Sequence, residues 1–390
     1  MKIFDNILRL SFAVAVIFSV SCSCDKDSST LPPPSTGVIP GKGDMTKVYE
    51  YVISNQLSYI RSLQMASGAI KDRPSEDSKI TPYFAHFAVL ALLAEPDETN
   101  VGAVKKYVEW YFGKLNSEKT QFHDDEIQGS VYDYYAPDER TEGKYDSVDS
   151  YAATFLEILM SLAKTSDTAK DWLMQYKDKV SLVARAMLKT VDAEINIIPG
   201  GNQNDYLSVA HYRYTIKYLM DNTEVNMGLK ACIWLRDNGL LEVEPDLELI
   251  LEKNTAGIES LYNASNGNYD FAKGNDSDWN TFYPGATAQL YPFIFGVLSP
   301  MATRSLQLYD KFNEMYPEWE TGKTYDAYPW TMIVHAAAVM NDAERVNAYV
   351  NHIYGMNIKN EQKKNWYSAE AGSLVLAIEK MRKTLNSTTN

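Results

Sequence analysis

Apolar and polar positions follow two alternating helical patterns from residue 45 to the end of the chain. In the first pattern nearly every position is apolar, which is typical of a helix buried on most sides. It occurs in six segments: Phe84–Leu93, Tyr151–Leu162, Val225–Leu235, Ala286–Leu298, Thr331–Met340 and Ala371–Ile378. In the second pattern one face is apolar and the other is charged, which predicts a helix at the surface. Its six segments are Met45–Gln64, Val101–Leu115, Thr168–Leu188, Pro245–Leu261, Ala302–Tyr316 and Asp342–Tyr354.

Strict alternation of outer with inner helices predicts an all-α fold, the (α/α)6 toroid, in which six inner helices form a barrel inside six outer ones. An open solenoid of stacked helix pairs would show the same alternation, but the uneven spacing of the inner helices disfavours it. The extra length falls before three inner helices, in residues 116–145, 191–223 and 263–283. Long loops gathered on one rim usually build a binding site. Residues 206–209 and 268–271 could form short hairpin strands there, and Pro292 should kink or split the fourth inner helix.

The first residues resemble an export signal. Lys2 and Arg9 precede an apolar run, Leu10–Val20, which is long enough for a signal peptide and too short to span a bilayer. The serines and cysteines that follow resemble the lipobox of bacterial lipoproteins, in which a cysteine carries the lipid. Cys22 lies nearer the apolar run and is the predicted lipidation site, with Cys24 as the alternative.

These features divide the chain into three predicted parts. A lipoprotein signal peptide occupies residues 1–21, a lipidated tether rich in Pro, Ser and Gly occupies residues 22–44, and a single toroid domain occupies residues 45–390. The tether composition cannot bury enough apolar surface to fold. We expect the protein to be exported and lipid-anchored to the outer membrane of a Gram-negative bacterium, on its periplasmic or cell-surface face.

The composition disfavours several classes of partner and cofactor. With 37 basic and 51 acidic residues the formal net charge is −14, which disfavours a nucleic-acid partner. Cys232 is the only cysteine of the predicted toroid, so that domain should contain no intramolecular disulfide. The five histidines lack metal-ligand spacing and the sequence contains no phosphate-binding or dinucleotide-binding motif, so we predict no metal and no cofactor. The unusual feature is aromatic: the chain has 27 tyrosines and 7 tryptophans.

Carboxylates and aromatic rings recur where the inner helices begin. In a toroid these N-terminal ends share one rim, so their residues should converge. Rings stack on the apolar faces of sugars, and two opposed carboxyls can cleave a glycosidic bond as general acid and as base or nucleophile. The predicted substrate contacts are Tyr83, His86, Tyr145, Tyr151, Asp278, Trp279, Tyr283, Asp326, Trp330 and Trp366. Alternatively, His86 is a core histidine, and Trp330 and Trp366 are rim packing.

Four acids at the second and third inner helices form the predicted catalytic set. Asp149 lies within an otherwise apolar helix, where an idle charge is costly, whereas Asp146 has the position of an N-cap. Glu224 should likewise point into the barrel while Asp221 caps its helix. We therefore assign Asp149 and Glu224 as the acid/base pair and the other two acids as their supports. Each of the four could instead be an ordinary structural acid at a helix start.

Two motifs resemble the six-hairpin glycosidase superfamily. They are Tyr145–Ala152 at the second inner helix and Tyr218–Glu224 at the third, with Gly68–Ile70 and Pro82–Tyr83 before them. The resemblance covers about residues 45–385. It implies the (α/α)6 toroid, a carbohydrate substrate and a site at the N-terminal rim of the inner helices. The same fold also occurs in polysaccharide lyases, epimerases and inactive members.

The sequence therefore favours a glycoside hydrolase that cleaves an oligo- or polysaccharide by carboxylate acid/base catalysis. A polysaccharide lyase is one alternative, but its anionic substrate needs basic residues, and the inner-helix starts offer only Lys144, Lys217 and Lys323. A non-catalytic glycan-binding surface lipoprotein is the other, since it would need the rings but not the carboxylates. The sugar, the linkage, the stereochemical outcome and the oligomeric state stay open.

Overall fold

Thirteen α-helices and two short pairs of strands make up the described part of the chain. This computed structural model describes residues 45–196, 198, 203–359 and 365–388. The predicted signal peptide and tether, with Cys22, lie outside the described residues. No helix within those ranges is long and apolar enough to cross a membrane.

The helices follow the predicted order of outer and inner elements. The outer helices are α1 (Met45–Leu63), α3 (Glu98–Gly113), α5 (Asp167–Met174) with α6 (Lys177–Thr190), α8 (Leu247–Glu259), α10 (Thr303–Met315) and α12 (Ala343–Ile358). The inner helices are α2 (Pro82–Ala94), α4 (Asp149–Thr165), α7 (Leu219–Asp237), α9 (Tyr291–Ile294), α11 (Met332–Val339) and α13 (Ser368–Thr388). The antiparallel strand pairs are β1 (Lys79–Ile80) with β2 (Tyr134–Tyr135), and β3 (Tyr262–Asn263) with β4 (Asn268–Tyr269).

The inner helices form a closed ring. Helix α2 contacts α4, α4 contacts α7, and the series continues through α9 and α11 to α13, which packs back against α2. A solenoid would leave its first and last pairs apart. The all-α (α/α)6 toroid predicted from the sequence is therefore confirmed.

The structure differs from the predicted elements in three places. The fourth inner element is divided into a π-turn at Phe282–Ala286, a 3-10 turn at Thr287–Leu290 and the short α9, so it begins earlier and is more irregular than Pro292 alone implies. The predicted outer helix 168–188 is two helices, α5 and α6, separated at Gln175 and Tyr176. The predicted strand at 268–271 forms as β4, whereas 206–209 contributes only the single bridge between Val191 and Ser208.

Inner helices α13 and α2 pack closely at Gly372, and this contact provides a test of the closed ring. A Cβ atom on Gly372 of α13 would lie 2.4 Å from the backbone carbonyl of Phe87 in α2. Because that backbone cannot move freely, we expect Gly372→Ala to lower the free energy of unfolding by about 1–3 kcal/mol. Gly102→Ala in outer helix α3 is the matched control: nothing described lies within 4 Å of its Cβ position, so it should stabilise by about 0.5–1 kcal/mol. Urea denaturation measures both, and equal effects would contradict this packing.

Candidate active site

The four predicted catalytic acids lie at the N-terminal ends of α4 and α7. Asp149 is the first residue of α4, and Asp146 precedes that helix by three residues. Asp221 and Glu224 lie near the start of α7. Because α4 and α7 are packed neighbours in the inner ring, all four carboxyls come together.

Helix capping explains little about these acids. Side chains cap the outer helices: Asp97 accepts a hydrogen bond from the backbone N–H of Asn100, and Asp246 accepts one from Leu249. At α4 and α7 the N-cap residues are Val148 and Tyr218, and the described residues provide neither helix with a side-chain cap. The expectation that Asp146 and Asp221 occupy N-cap positions is therefore corrected. Asp149 also begins its helix instead of lying one turn inside it.

Asp149 is completely buried and held by hydrogen bonds on both carboxyl oxygens. The backbone N–H of Ser150 donates to Oδ1 at 2.8 Å, and the hydroxyl of Ser208 donates to Oδ2 at 2.6 Å. Burial raises the pKa of Asp149 to about 6, although these hydrogen bonds act to lower it. With 0% of its surface exposed, Asp149 is closed to a substrate.

Glu224 is also buried, and its carboxyl accepts a hydrogen bond from Tyr83. The hydroxyl of Tyr83 donates to Oε1 of Glu224 at 2.6 Å and is itself hydrogen-bonded to Tyr291. Burial and the charge of Asp149 hold the pKa of Glu224 well above its ordinary value, despite the hydrogen bond from Tyr83. Only 1% of Glu224 is exposed. Its carboxyl is therefore a fixed group whose raised pKa favours the protonated form.

Asp146 and Asp221 are the accessible members of the set. Asp146 is exposed and Asp221 is half-buried. Burial and the charges of Asp133 and Asp149 nevertheless raise the pKa of Asp146 to about 7, against the opposing effect of Lys79. Burial, followed by the charges of Asp149, Glu224 and Asp146, raises the pKa of Asp221 well above its ordinary value. Water therefore reaches both carboxyls although protein closely surrounds them.

A partly buried ion pair lies beside these carboxyls, between β1 and the residue before β2. Lys79 Nζ lies 2.7 Å from Asp133 Oδ2, and the hydroxyl of Tyr151 donates to Asp133 Oδ1 at 2.9 Å. The Tyr151 ring stacks on Tyr83 with centroids 6.3 Å apart. Tyr151 therefore connects the Lys79–Asp133 ion pair to Tyr83, whose hydroxyl is hydrogen-bonded to Glu224. Tyr151 is buried, which makes it a support and not an exposed platform.

Tyr283 and Trp330 place aromatic surface next to the accessible carboxyls. Burial and the charges of Asp146, Tyr291 and Asp221 raise the pKa of Tyr283 well above its ordinary value, so its hydroxyl lies near both aspartates. The Tyr283 and Trp330 ring centroids are 5.1 Å apart. Both residues are half-buried, so part of their surface remains available to a ligand.

Trp330 is held in a strained backbone conformation by Glu370. Its φ of 55° lies in the left-handed region, which is costly for a bulky residue. The buried Glu370 carboxylate accepts hydrogen bonds from the backbone N–H groups of Trp330 and Thr331 and from the Thr331 hydroxyl. The indole N–H of Trp330 donates to Asp326 Oδ2 at 2.7 Å. Asp326 thus orients the ring, and Glu370 fixes the backbone.

Several other predicted contacts lie away from the carboxyls. His86 is buried among Tyr107, Tyr111 and Phe155, donates or accepts one hydrogen bond with Thr154, and has its pKa lowered to about 3 by burial. It is therefore a core histidine, and its placement among the substrate contacts is corrected.

The rest of the predicted contacts divide between packing and rim. Trp366 donates its indole N–H to Gln56 of α1 at 2.8 Å, a packing contact between inner and outer helices. Asp278 is exposed and accepts the backbone N–H of Asn280 within its own turn. Trp279 is half-buried in the same loop, and Tyr145 is half-buried beside Asp146. Tyr83, Tyr283 and Trp330 are the predicted rings that the structure brings to the carboxyls or next to them, whereas the Tyr145 ring contacts Tyr132 and His211.

Sequence reasoning missed four supporting residues. Asp133 precedes β2, whose pairing with β1 had no signal in the pattern. Ser208 lies in a predicted strand and Tyr291 lies inside an apolar helix, so neither stood at an inner-helix start. Glu370 does stand at the start of α13, and that position was the available signal. In the described ranges no group of three or more His, Cys, Asp or Glu is arranged to hold a metal ion.

The raised pKa values predict that stability falls as pH rises. Between about pH 4 and pH 7 the folded protein holds protons on Asp146, Asp149, Asp221 and Glu224 that the unfolded chain has released. By linkage, the free energy of unfolding contributed by these groups decreases across that interval. Asp146→Asn should reduce the decrease, and Asp310→Asn at an exposed position of α10 should not. Urea titrations across this range measure it; an unchanged decrease in Asp146→Asn would contradict the cluster.

Solved structures of glycosidases share this fold. A structure named Glycosidase Wild Type matches with a TM-score of 0.56 at 12% identity, over 88% of this chain and 99% of that one. A beta-1,3-1,4-glucanase from Paenibacillus sp. X4 matches with a TM-score of 0.57 at 12% identity, over 89% and 95%. The GH63 mannosylglycerate hydrolase from Thermus thermophilus, in complex with glucose, matches with a TM-score of 0.54 at 9% identity, over 84% and 99%. These likenesses establish a shared helical toroid.

No family model matches the sequence, and no curated protein is similar enough to it to count as a relative.

Proposed function

We propose that this protein is a glycoside hydrolase that cleaves an oligo- or polysaccharide between Asp146 and Asp221. The observation that carries the proposal is this pair: two carboxyls, both reachable by solvent and both with raised pKa, on neighbouring inner helices. Half-buried Tyr283 and Trp330 adjoin the pair and suit the apolar face of a sugar. The glycosidases with the same fold add support.

The pKa values suggest a role for each aspartate. The pKa of Asp221 is raised well above its ordinary value, which favours the protonated form that a general acid needs in order to protonate the leaving glycosidic oxygen. Asp146, with a pKa of about 7, supplies the ionised partner near neutral pH. It acts as a base toward water in an inverting reaction or as a nucleophile in a retaining one. The anomer of the first product distinguishes the two.

Burial favours a different division of roles from the one that the sequence predicts. Asp149 and Glu224 are closed off and committed to hydrogen bonds, so we assign them as positioning residues. Asp149 acts to raise the pKa of both accessible aspartates, and Glu224 acts to raise that of Asp221. A glycosidic oxygen can approach Asp146 and Asp221 without prior rearrangement of the cluster.

The pH dependence of kcat/KM tests this electrostatic arrangement. The Asp149 carboxylate raises the pKa of both Asp146 and Asp221, so its removal lowers both values. Asp149→Asn should therefore shift both limbs of the pH profile of kcat/KM to lower pH, with the rising limb leaving the neighbourhood of pH 7. If both limbs keep their apparent pKa values and only the maximal kcat/KM changes, Asp149 does not act through its charge.

A glycan panel tests the reaction class. The full chain is incubated with mixed-linkage β-glucan, α-mannan, soluble starch and a uronate-containing polymer. We expect new reducing ends without absorbance from an unsaturated product. Absorbance from such a product would indicate a lyase, and retention of a glycan without product would indicate a binding protein.

We also propose export and lipid anchoring through Cys22. The support is the charged and apolar pattern of residues 1–21 and the small residues around Cys22 and Cys24.

A further inference from the structure

A row of half-buried aromatic residues lies on two rim loops that adjoin the carboxyl pair in the chain. It consists of Tyr145, His211, Tyr214 and Tyr218, called here the aromatic arm. Successive ring centroids are 5.2, 6.0 and 6.3 Å apart, and the hydroxyls of Tyr214 and Tyr218 are hydrogen-bonded at 2.8 Å. Each of the four rings keeps part of its surface exposed.

Both ends of the aromatic arm lie close in sequence to the candidate active site. Tyr145 immediately precedes Asp146 in the chain. Tyr218 is the N-cap of α7, three residues before Asp221, and it lies close enough to Tyr283 to raise its pKa. The arm therefore extends the aromatic surface of Tyr283 along the rim instead of forming a separate patch.

The Tyr145 end of the arm is fixed by a buried carboxylate and an arginine. Glu126, only 4% exposed, accepts hydrogen bonds from the Tyr145 hydroxyl and from Arg213 Nη2, the latter at 2.9 Å. Arg213 also donates to the Tyr145 hydroxyl at 2.8 Å. Burial acts to raise the pKa of Glu126, but hydrogen bonds from Tyr145 and Tyr132 hold it below its ordinary value, so the carboxylate stays ionised. A ring held in this way loses little freedom on binding.

The chemistry of the arm suits a neutral ligand. Burial and the charge of Arg213 lower the pKa of His211 to about 4, so its ring is uncharged at neutral pH. The Arg213 charge is matched by Glu126 and Asp125. What the arm offers is uncharged, partly exposed aromatic surface on His211, Tyr214 and Tyr218, which fits the apolar faces of successive sugars. Tyr145, whose ring stacks on Tyr132, anchors the row.

We infer that the aromatic arm is a second carbohydrate-binding region, which holds sugar units of a neutral polysaccharide beyond the bond placed between Asp146 and Asp221. The inference rests on the proposed function for the position of that bond. It makes the substrate a polymer and not a short oligosaccharide, because a chain must be long enough to cover both regions.

Binding without catalysis tests the arm. The full chain migrates in native gels that contain mixed-linkage β-glucan, α-mannan or soluble starch, and retardation gives the affinity. We expect at least one polymer to retard the wild type, with affinity reduced about fivefold or more in His211→Ala and Tyr214→Ala. Tyr214→Trp keeps a ring and should retain binding. Tyr176→Ala removes a half-buried ring between α5 and α6 and should bind as the wild type does.

The outcomes separate the arm from the proposed reaction. Unchanged retardation of both alanine variants, or no retardation of the wild type by any of the three polymers, overturns the arm. If Tyr214→Ala does not fold, Tyr214→Trp and His211→Ala are compared instead. The arm is supported if Tyr214→Trp binds and His211→Ala binds more weakly, and it is overturned if the two bind equally. Retardation that depends on the arm, with no polymer cleaved, would retain the arm and remove the hydrolase.

Discussion

Asp221→Asn lowers kcat/KM on the cleaved polysaccharide by about 10³-fold, because the amide cannot give a proton to the leaving oxygen. The loss is much smaller on a glycoside with a dinitrophenyl leaving group, since that group departs without protonation. The difference follows from the role of Asp221 as the general acid, a role that its raised pKa favours. Initial rates on both substrates measure it.

Asp310→Asn is the matched control for Asp221→Asn, because it makes the same chemical change at an exposed position of outer helix α10. It should leave both rates unchanged. Equal losses on the polymer and on the activated glycoside would show that Asp221 contributes to something other than proton donation.

Asp146→Asn produces a loss of similar size, about 10³-fold, on both kinds of substrate, because every leaving group still needs a base or nucleophile. Asp146 is exposed, so a small anion can reach the space beside its amide. Sodium azide should therefore restore part of the rate and appear in the product as a glycosyl azide. The rate and the product are measured together by chromatography.

Glu224→Gln is the matched control for azide rescue. Glu224 is enclosed and bonded to Tyr83, so azide should not restore any activity lost on its replacement. If azide rescues Glu224→Gln but not Asp146→Asn, then Glu224 is the base or nucleophile and Asp146 is the positioning residue.

The alternation of helices predicted the architecture because burial on all sides and burial on one face leave different patterns. The pattern could not show how the fourth inner element is built. The segment from Phe282 to Ile294 is apolar enough for one helix, but its backbone divides into three short segments. Pro292 was the only local signal, and it marks one irregularity of several.

The sequence predicted that the acids at the second and third inner-helix starts converge, and it could not show which of them are buried. Asp146 and Asp149 are three residues apart, yet one is exposed and the other is completely enclosed. That difference depends on Ser208 and on packing between α4 and α7, which are distant in sequence. His86 illustrates the same limit, because one turn into α2 the helix already faces the core.

The supports of the site came from contacts that no local pattern encodes. Asp133 reaches the site because β2 pairs with β1, and each strand is only two residues long. Tyr291 meets Tyr83 because the inner ring closes. Such contacts follow from the completed fold and not from hydrophobic periodicity.

The release of reducing ends by four amide variants, assayed side by side on one cleaved polysaccharide, tests the central assignment most directly. The variants are Asp146→Asn, Asp221→Asn, Asp149→Asn and Glu224→Gln. If the accessible pair reacts and the enclosed pair positions it, the first two variants lose turnover while the last two keep a measurable rate. Turnover that survives in Asp146→Asn and Asp221→Asn, and is lost in Asp149→Asn and Glu224→Gln, would contradict the account.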